Sequence, residues 1–95
     1  MFLANFTVEA KSTVDADEIC RLFRHALHLM QEPGYVDAIC TVSLDDPRAI
    51  LVVERWGNLQ SLRAWIASPP RHQLLQQVTP LIEGPVETTV WEERV

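Results

Sequence analysis

ILVVERWGNLQSLRAWIASPPRH, residues Ile50–His72, joins a strand to a broken helix with almost no linker. Its first seven residues are mostly apolar and β-branched, the composition of a strand covered on both faces. Gly57 ends that run, and Asn58 offers a side-chain oxygen to the free N–H groups of a helix start. Leu59, Leu62, Trp65 and Ile66 then recur at helical spacing and form one apolar stripe. Ser68-Pro69-Pro70 stops this helix, because proline has no N–H to donate and constrains the residue before it. Ser68 also suits the cap of a second helix with Pro69 as its first residue. Indole, guanidinium and imidazole groups are thus gathered at the break, and any pocket is expected to be lined by them.

Upstream, Asp45-Asp46-Pro47-Arg48 has turn chemistry and pairs this strand as a hairpin with Tyr35–Leu44. In that partner Val36, Ala38, Cys40, Val42 and Leu44 alternate with Tyr35, Asp37, Ile39, Thr41 and Ser43. Asp15 and Glu18 have capping-box spacing, so a helix is expected from there to about Met30, with Ile19, Leu22, Phe23, Ala26, Leu27 and Met30 as its apolar stripe. Glu32-Pro33-Gly34 breaks it. Phe2–Ala10 reads as a first strand: Phe2, Ala4, Phe6, Val8 and Ala10 share one face, Leu3, Asn5, Thr7 and Glu9 the other. Downstream, helical periodicity runs on to about Thr79, Gly84-Pro85 resets the chain, and Val86–Glu93 is a last strand.

The order β-α-β-β-α-β is the ferredoxin-like α+β arrangement, a four-stranded antiparallel sheet with helices on one face. Ninety-five residues suffice for a single domain, 1–95, with one modest core. Strands 35–44 and 50–56 carry bulky apolar groups on both faces, more than a soluble monomer usually exposes. Packing two such sheets face to face removes that surface, so a twofold homodimer is expected.

Composition narrows the function classes. Thirteen acidic against eight basic residues give a net charge of −5, and the arginines are scattered, which argues against nucleic acid. No apolar run is long enough to span a bilayer, and Met-Phe-Leu-Ala-Asn lacks the basic start of a signal peptide, so no membrane partner and a cytoplasmic protein are expected. Cys20 and Cys40 form no CxxC pair and read as buried, reduced thiols. His25 and His28 lack a third ligand at a supporting spacing, so no metal site is expected. Phosphate-loop, dinucleotide-binding and nucleophile-elbow patterns are missing, the three glycines lying far apart at 34, 57 and 84.

Taken in order, the capped helix after a short first strand, Glu32-Pro33-Gly34-Tyr35, the Asp45-Asp46-Pro47 hairpin, and Glu54-Arg55-Trp56 followed by the Asn58–Ser68 helix resemble the antibiotic-biosynthesis-monooxygenase (ABM) domain of the dimeric α/β-barrel group. The resemblance covers essentially the whole chain. It implies a dimeric α/β barrel and an activity among cofactor-free oxygenases of quinols and phenols, haem-degrading enzymes, or members without known activity. Many members have a histidine where this chain has Trp65, and often another at Pro70. The haem-degrading branch is similar at Asn5 and Trp65, while its iron-binding histidine falls near Leu75, one helical turn beyond His72.

The expected function is a monooxygenase that needs no cofactor and acts on a small hydrophobic or aromatic, quinol-type ligand. Asn5, Trp65 and His72 are the catalytic candidates. Asn5 would hold the substrate oxygen through its amide, and His72 would act as base, imidazole being the side chain that titrates near neutral pH. Trp56 beside Trp65 would wall the pocket, and Arg55 or Arg71 would stabilise a phenolate. Against these stand plainer readings: core packing for Trp56, an exposed first-turn residue for His72, and an edge or backbone-bonded amide for Asn5. The alternative function is a non-enzymatic dimeric module that binds a hydrophobic metabolite or haem-like ring.

Overall fold

The computed structural model describes residues 1–94; Val95, the last residue of the expected domain, lies outside the described residues. The elements are β1 (Phe2–Ala10), α1 (Thr13–His28), β2 (Tyr35–Val42), β3 (Ala49–Trp56), α2 (Leu59–Ile66), α3 (Pro69–Val78), a 3-10 turn (Thr79–Leu81) and β4 (Ile82–Glu92). Among the described residues the strands form one antiparallel sheet in the order β2-β3-β1-β4. This is the expected ferredoxin-like arrangement with its second helix divided in two.

Strand alternation sorts the side chains. Ala4, Phe6, Val8 and Ala10 of β1 and Ile50, Val52 and Trp56 of β3 are buried on the inner face, against Ala16, Ile19, Phe23 and Leu27 of α1 and Leu62, Leu74 and Val78 of α2 and α3. Burying a side chain of this size contributes about 1.5–3 kcal/mol, so this layer is the main source of stability. Among the described residues no helix is long and apolar enough to cross a membrane.

Several boundaries differ from the sequence-based expectation for local reasons. The cap of α1 is Ser12, whose hydroxyl accepts the Asp15 N–H at 3.1 Å, rather than Asp15 itself. Asn58 and Ser68 cap α2 and α3 as expected, accepting the N–H groups of Ser61 at 3.0 Å and Arg71 at 3.4 Å. β4 starts at Ile82, four residues before the expected Val86. Gly84-Pro85 lies inside it, where the register against β1 shifts between Thr7 and Glu9 and Gly84 takes φ +76. The pair makes a bulge, not a break.

A second irregularity lies between Tyr35 and Asp37, which pair with the consecutive residues Trp56 and Arg55. Val36 is the extra residue. Tyr35 therefore joins the inner face, where its ring meets Trp56 edge-on at 5.4 Å, instead of alternating with Ala38 and Cys40.

Gly34 ties the β2 entry to the start of α2. Its carbonyl accepts the Gly57 N–H at 2.7 Å, its φ is +90, and an added Cβ would stand 3.0 Å from Asn58 Cβ. Gly34→Ala is expected to cost about 1–3 kcal/mol, lowering the thermal midpoint by at least several degrees. An unchanged midpoint would show that this turn tolerates a side chain.

Candidate active site

The inner face of β3 runs Ile50, Val52, Glu54, Trp56, and its third member is a carboxylate only 4% exposed. Its cross-strand neighbours are Ala4 on β1 and Ala38 on β2, the smallest side chains available with a Cβ, which leaves the space above the carboxyl to the helices. The α2–α3 break fills that space. Trp65 comes from the last turn of α2, Arg71 from the first turn of α3, and the Ser68 hydroxyl locks the corner by donating to the Trp65 carbonyl at 2.7 Å. A helix stopped by two prolines and restarted by its own serine cap thus delivers an indole and a guanidinium to one buried carboxyl.

Arg71 is 5% exposed. Its Nη2 donates to Thr88 Oγ1 on β4 at 2.9 Å, and its guanidinium carbon stands 5.9 Å from the centroid of the Phe6 ring. Trp56 Nε1 donates to Glu54 Oε1 at 3.1 Å. Among the described residues the Trp65 indole N–H makes no hydrogen bond of good geometry, yet it lies near enough to the Glu54 carboxyl to favour the charged form.

Burial is the dominant influence on both ionisable groups. It pushes the Glu54 pKa above the ordinary carboxylate value against the opposing pull of Trp56, Arg71 and Trp65. It pulls Arg71 below the usual guanidinium range against the support of Glu54. A carboxylate whose pKa is raised is a stronger base toward a weakly acidic ligand, and a cation beside it can stabilise the anion left behind.

Trp56, Trp65 and Arg71 are therefore brought together around Glu54. Asn5, Arg55 and His72 lie elsewhere. Asn5 is on the opposite face of the sheet, between Val53 and Thr89 in register, with a buried Oδ1 that has no partner among the described residues. It is on a central strand, so it is not an edge amide. Arg55 is exposed on that outer face in a two-bond pair with Asp37 at 2.6 Å, which holds the Asp37 carboxyl below its usual range. His72 is exposed on α3.

Sequence reasoning passed over Glu54 and Thr88. A signal for Glu54 was present, because 54 shares parity with Val52 and Trp56 and a charge on that parity must be buried. Thr88 has no such signal.

A groove of about 410 Å³ opens beside Trp65, walled by Ala26 of α1, by Leu29, Met30, Gln31 and Glu32 in the segment that follows it, and by Pro70. A smaller one of about 310 Å³ reaches Thr88 between Arg63, Ile66 and Val90. Of the cluster, Trp65 lines the first and Thr88 the second, while Glu54 and Arg71 line neither. A third depression, about 440 Å³, is on the outer sheet face at Thr7, Thr41, Leu51 and Glu87, away from these groups.

Fold and site together define a ferredoxin-like α+β domain with a charged cluster enclosed between its sheet and a divided helix. Residues 1–77 match the profile of the antibiotic biosynthesis monooxygenase family, and the chain belongs to that family. No curated protein matches the sequence. Among solved structures, a Deinococcus radiodurans protein of the antibiotic biosynthesis monooxygenase type superposes with a TM-score of 0.85 at 24% identity, covering 100% of this chain and 94% of its own. The ActVA-Orf6 monooxygenase of Streptomyces coelicolor, solved with nanaomycin D, gives 0.79 at 20% identity, covering 99% and 88%. A conserved protein of Methanosarcina mazei gives 0.82 at 15%, covering 98% and 92%. At these identities the likeness is one of fold. Some members of the family are monooxygenases.

Proposed function

We propose that the chain is a cofactor-independent monooxygenase of a small aromatic, quinol-type substrate, working as a homodimer. The observation that carries this reading is the enclosed Glu54 carboxyl, with Arg71 and two indoles around it, next to a groove walled by Trp65. A groove of about 410 Å³ falls within the ordinary range for small-molecule sites. An aromatic substrate lies against Trp65, and its hydroxyl reaches inward to Glu54. Glu54 accepts the phenolic proton, and Arg71 stabilises the phenolate by charge and hydrogen bonding.

The electron-rich anion then passes one electron to O2. The two radicals combine at a ring carbon to give a peroxide anion, which takes back the proton held by Glu54, and the resulting hydroperoxide loses water to leave a carbonyl. One oxygen atom ends in the quinone and the other in water. The protein binds, deprotonates and shields; the substrate supplies the electrons. That the related Streptomyces monooxygenase holds nanaomycin D supports a ligand of comparable class.

Oxygen uptake with a dihydroxynaphthalene, in flavin-free buffer treated with a chelator, tests the reading. Uptake well above the protein-free rate is expected, and a rate equal to it would contradict the proposal. A non-enzymatic binding module is the second reading. It is favoured by one fact: Glu54 is 4% exposed, so a ligand seated in the groove need not touch it. Ligand binding without oxygen uptake would select that reading.

The homodimer reading is supported by the outer sheet face, where Ile39 is 59% and Trp91 56% exposed beside half-buried Leu3, Leu51 and Val53. Light scattering should give twice the 10.8 kDa chain mass. Ile39→Asp, which places a charge on the edge strand β2 of that face, should return a monomer. A wild-type monomer, or a dimer indifferent to Ile39→Asp, would remove this part of the proposal.

A further inference from the structure

Cys20 and Cys40 are the two cysteines of the chain, and they stand on different elements. Cys20 belongs to the buried stripe of α1 and is 7% exposed. Cys40 is half-buried on the inner face of β2, an edge strand. The fold brings their sulfurs to 2.7 Å while both remain free thiols. Both are the reduced thiols expected from sequence, Cys20 buried and Cys40 half-buried, but adjacency across a helix–sheet interface cannot be read from a spacing of twenty residues.

Access is one-sided. Cys40 opens on a groove of about 400 Å³ shared with Arg24, Leu27, His28 and Asp37, whereas Cys20 lies behind it. A small thiol reagent can therefore reach Cys40, and Cys20 is already placed to resolve the product.

We propose that Cys20 and Cys40 form a reversible intramolecular disulfide that ties α1 to the edge of the sheet. The oxidant is a low-molecular-weight disulfide of the glutathione type. The Cys40 thiolate attacks it and expels one glutathione, leaving a mixed disulfide on Cys40. The Cys20 thiolate then attacks the Cys40 sulfur and expels the second glutathione. The protein loses two protons and two electrons, and the small disulfide leaves as two thiols. Burial pushes the Cys40 thiol up to about 12, while Arg24 at the groove pulls the other way. Uncatalysed exchange of this kind runs on the scale of minutes to hours. The proposal does not depend on the oxygenase reading.

The test incubates the full chain in glutathione buffers of graded thiol-to-disulfide ratio, followed by acid quenching, alkylation with N-ethylmaleimide in denaturant, and intact-mass and peptide analysis. At the oxidising end the single chain should be lighter by two hydrogens, carry no maleimide, and yield a peptide pair linked through Cys20 and Cys40. Dithiothreitol should reverse all three. The thermal midpoint should rise by roughly 10 °C when the bond closes. Cys20→Ser should instead hold glutathione on Cys40 with no such rise. Two maleimides per chain at every ratio, glutathione on wild-type Cys40 without the internal link, or a link only between two chains would each overturn the proposal.

Discussion

Arg71→Met lowers folding stability by about 3–5 kcal/mol at neutral pH, and most of that loss is recovered toward pH 5. The substitution keeps the apolar length of the side chain but leaves Glu54, 4% exposed, with no cation beside it. An uncompensated buried carboxylate is the costly arrangement; the intact pair is close to neutral against apolar residues of equal volume.

The pH dependence follows from proton binding. Glu54 already titrates above its ordinary value of 4.5, and Arg71 is among the influences that hold it down. Without Arg71 its pKa climbs further. Between the unfolded value and the folded one, the native state binds more protons, so stability falls as pH rises through that window. The variant is therefore weakest relative to wild type at neutral pH, and the gap narrows on acidification. Urea unfolding of both proteins at about pH 7.5 and pH 5 measures it. Adding Glu54→Met to Arg71→Met should restore much of the loss at neutral pH. A gap that is constant with pH would mean that lost packing, not lost charge, is what the substitution removes.

Glu54→Gln lowers turnover of a dihydroxynaphthalene by at least about 100-fold, the usual scale for losing a positioned general base, and leaves ligand affinity within a few-fold of wild type. Glutamine keeps the shape of the side chain and an oxygen for the Trp56 N–H, so the groove beside Trp65 should retain its walls. What it cannot do is take a phenolic proton. The comparison is read as oxygen uptake for turnover and as fluorescence or calorimetric titration for binding, with far-ultraviolet circular dichroism to establish that the variant is folded. Undiminished turnover would remove Glu54 from the chemistry. Turnover and affinity lost together would make it a binding group.

Much of the architecture is legible in the residues. The period-2 pattern of Phe2–Ala10 gives β1 with both its ends, and the Ser68-Pro69-Pro70 break divides α2 from α3 where expected. What escapes is set by backbone irregularity and by contacts distant in sequence. One extra residue at Val36 moves Tyr35 to the inner face, and no pattern of alternating residues announces a bulge. Gly84-Pro85 reads as a break because both residues disfavour strands, yet β4 carries them as a bulge.

The candidate cluster is legible in half. Trp65 and Arg71 follow from the broken helix, whereas Glu54 was hidden in a run read as apolar on both faces. His72 stands next to Arg71 in sequence, and a helix turns by about 100° per residue, so the two cannot share a direction. Asn5 falls on the outer face by the same parity that buries Ala4 and Phe6.

The three tryptophans allow the most direct test of where a ligand sits, because each has one indole N–H and each occupies a different place. Trp65 walls the groove, Trp56 is wholly buried and bonded to Glu54, and Trp91 is exposed on the outer face, donating to Thr89 Oγ1. Titration of ¹⁵N-labelled protein with 2-naphthol, a phenol that does not react readily with oxygen, should shift the Trp65 indole signal most, Trp56 less, and Trp91 hardly at all. A shift confined to Trp91, or no indole shift at saturating naphthol, would place the ligand away from the Glu54–Arg71 cluster and contradict the account.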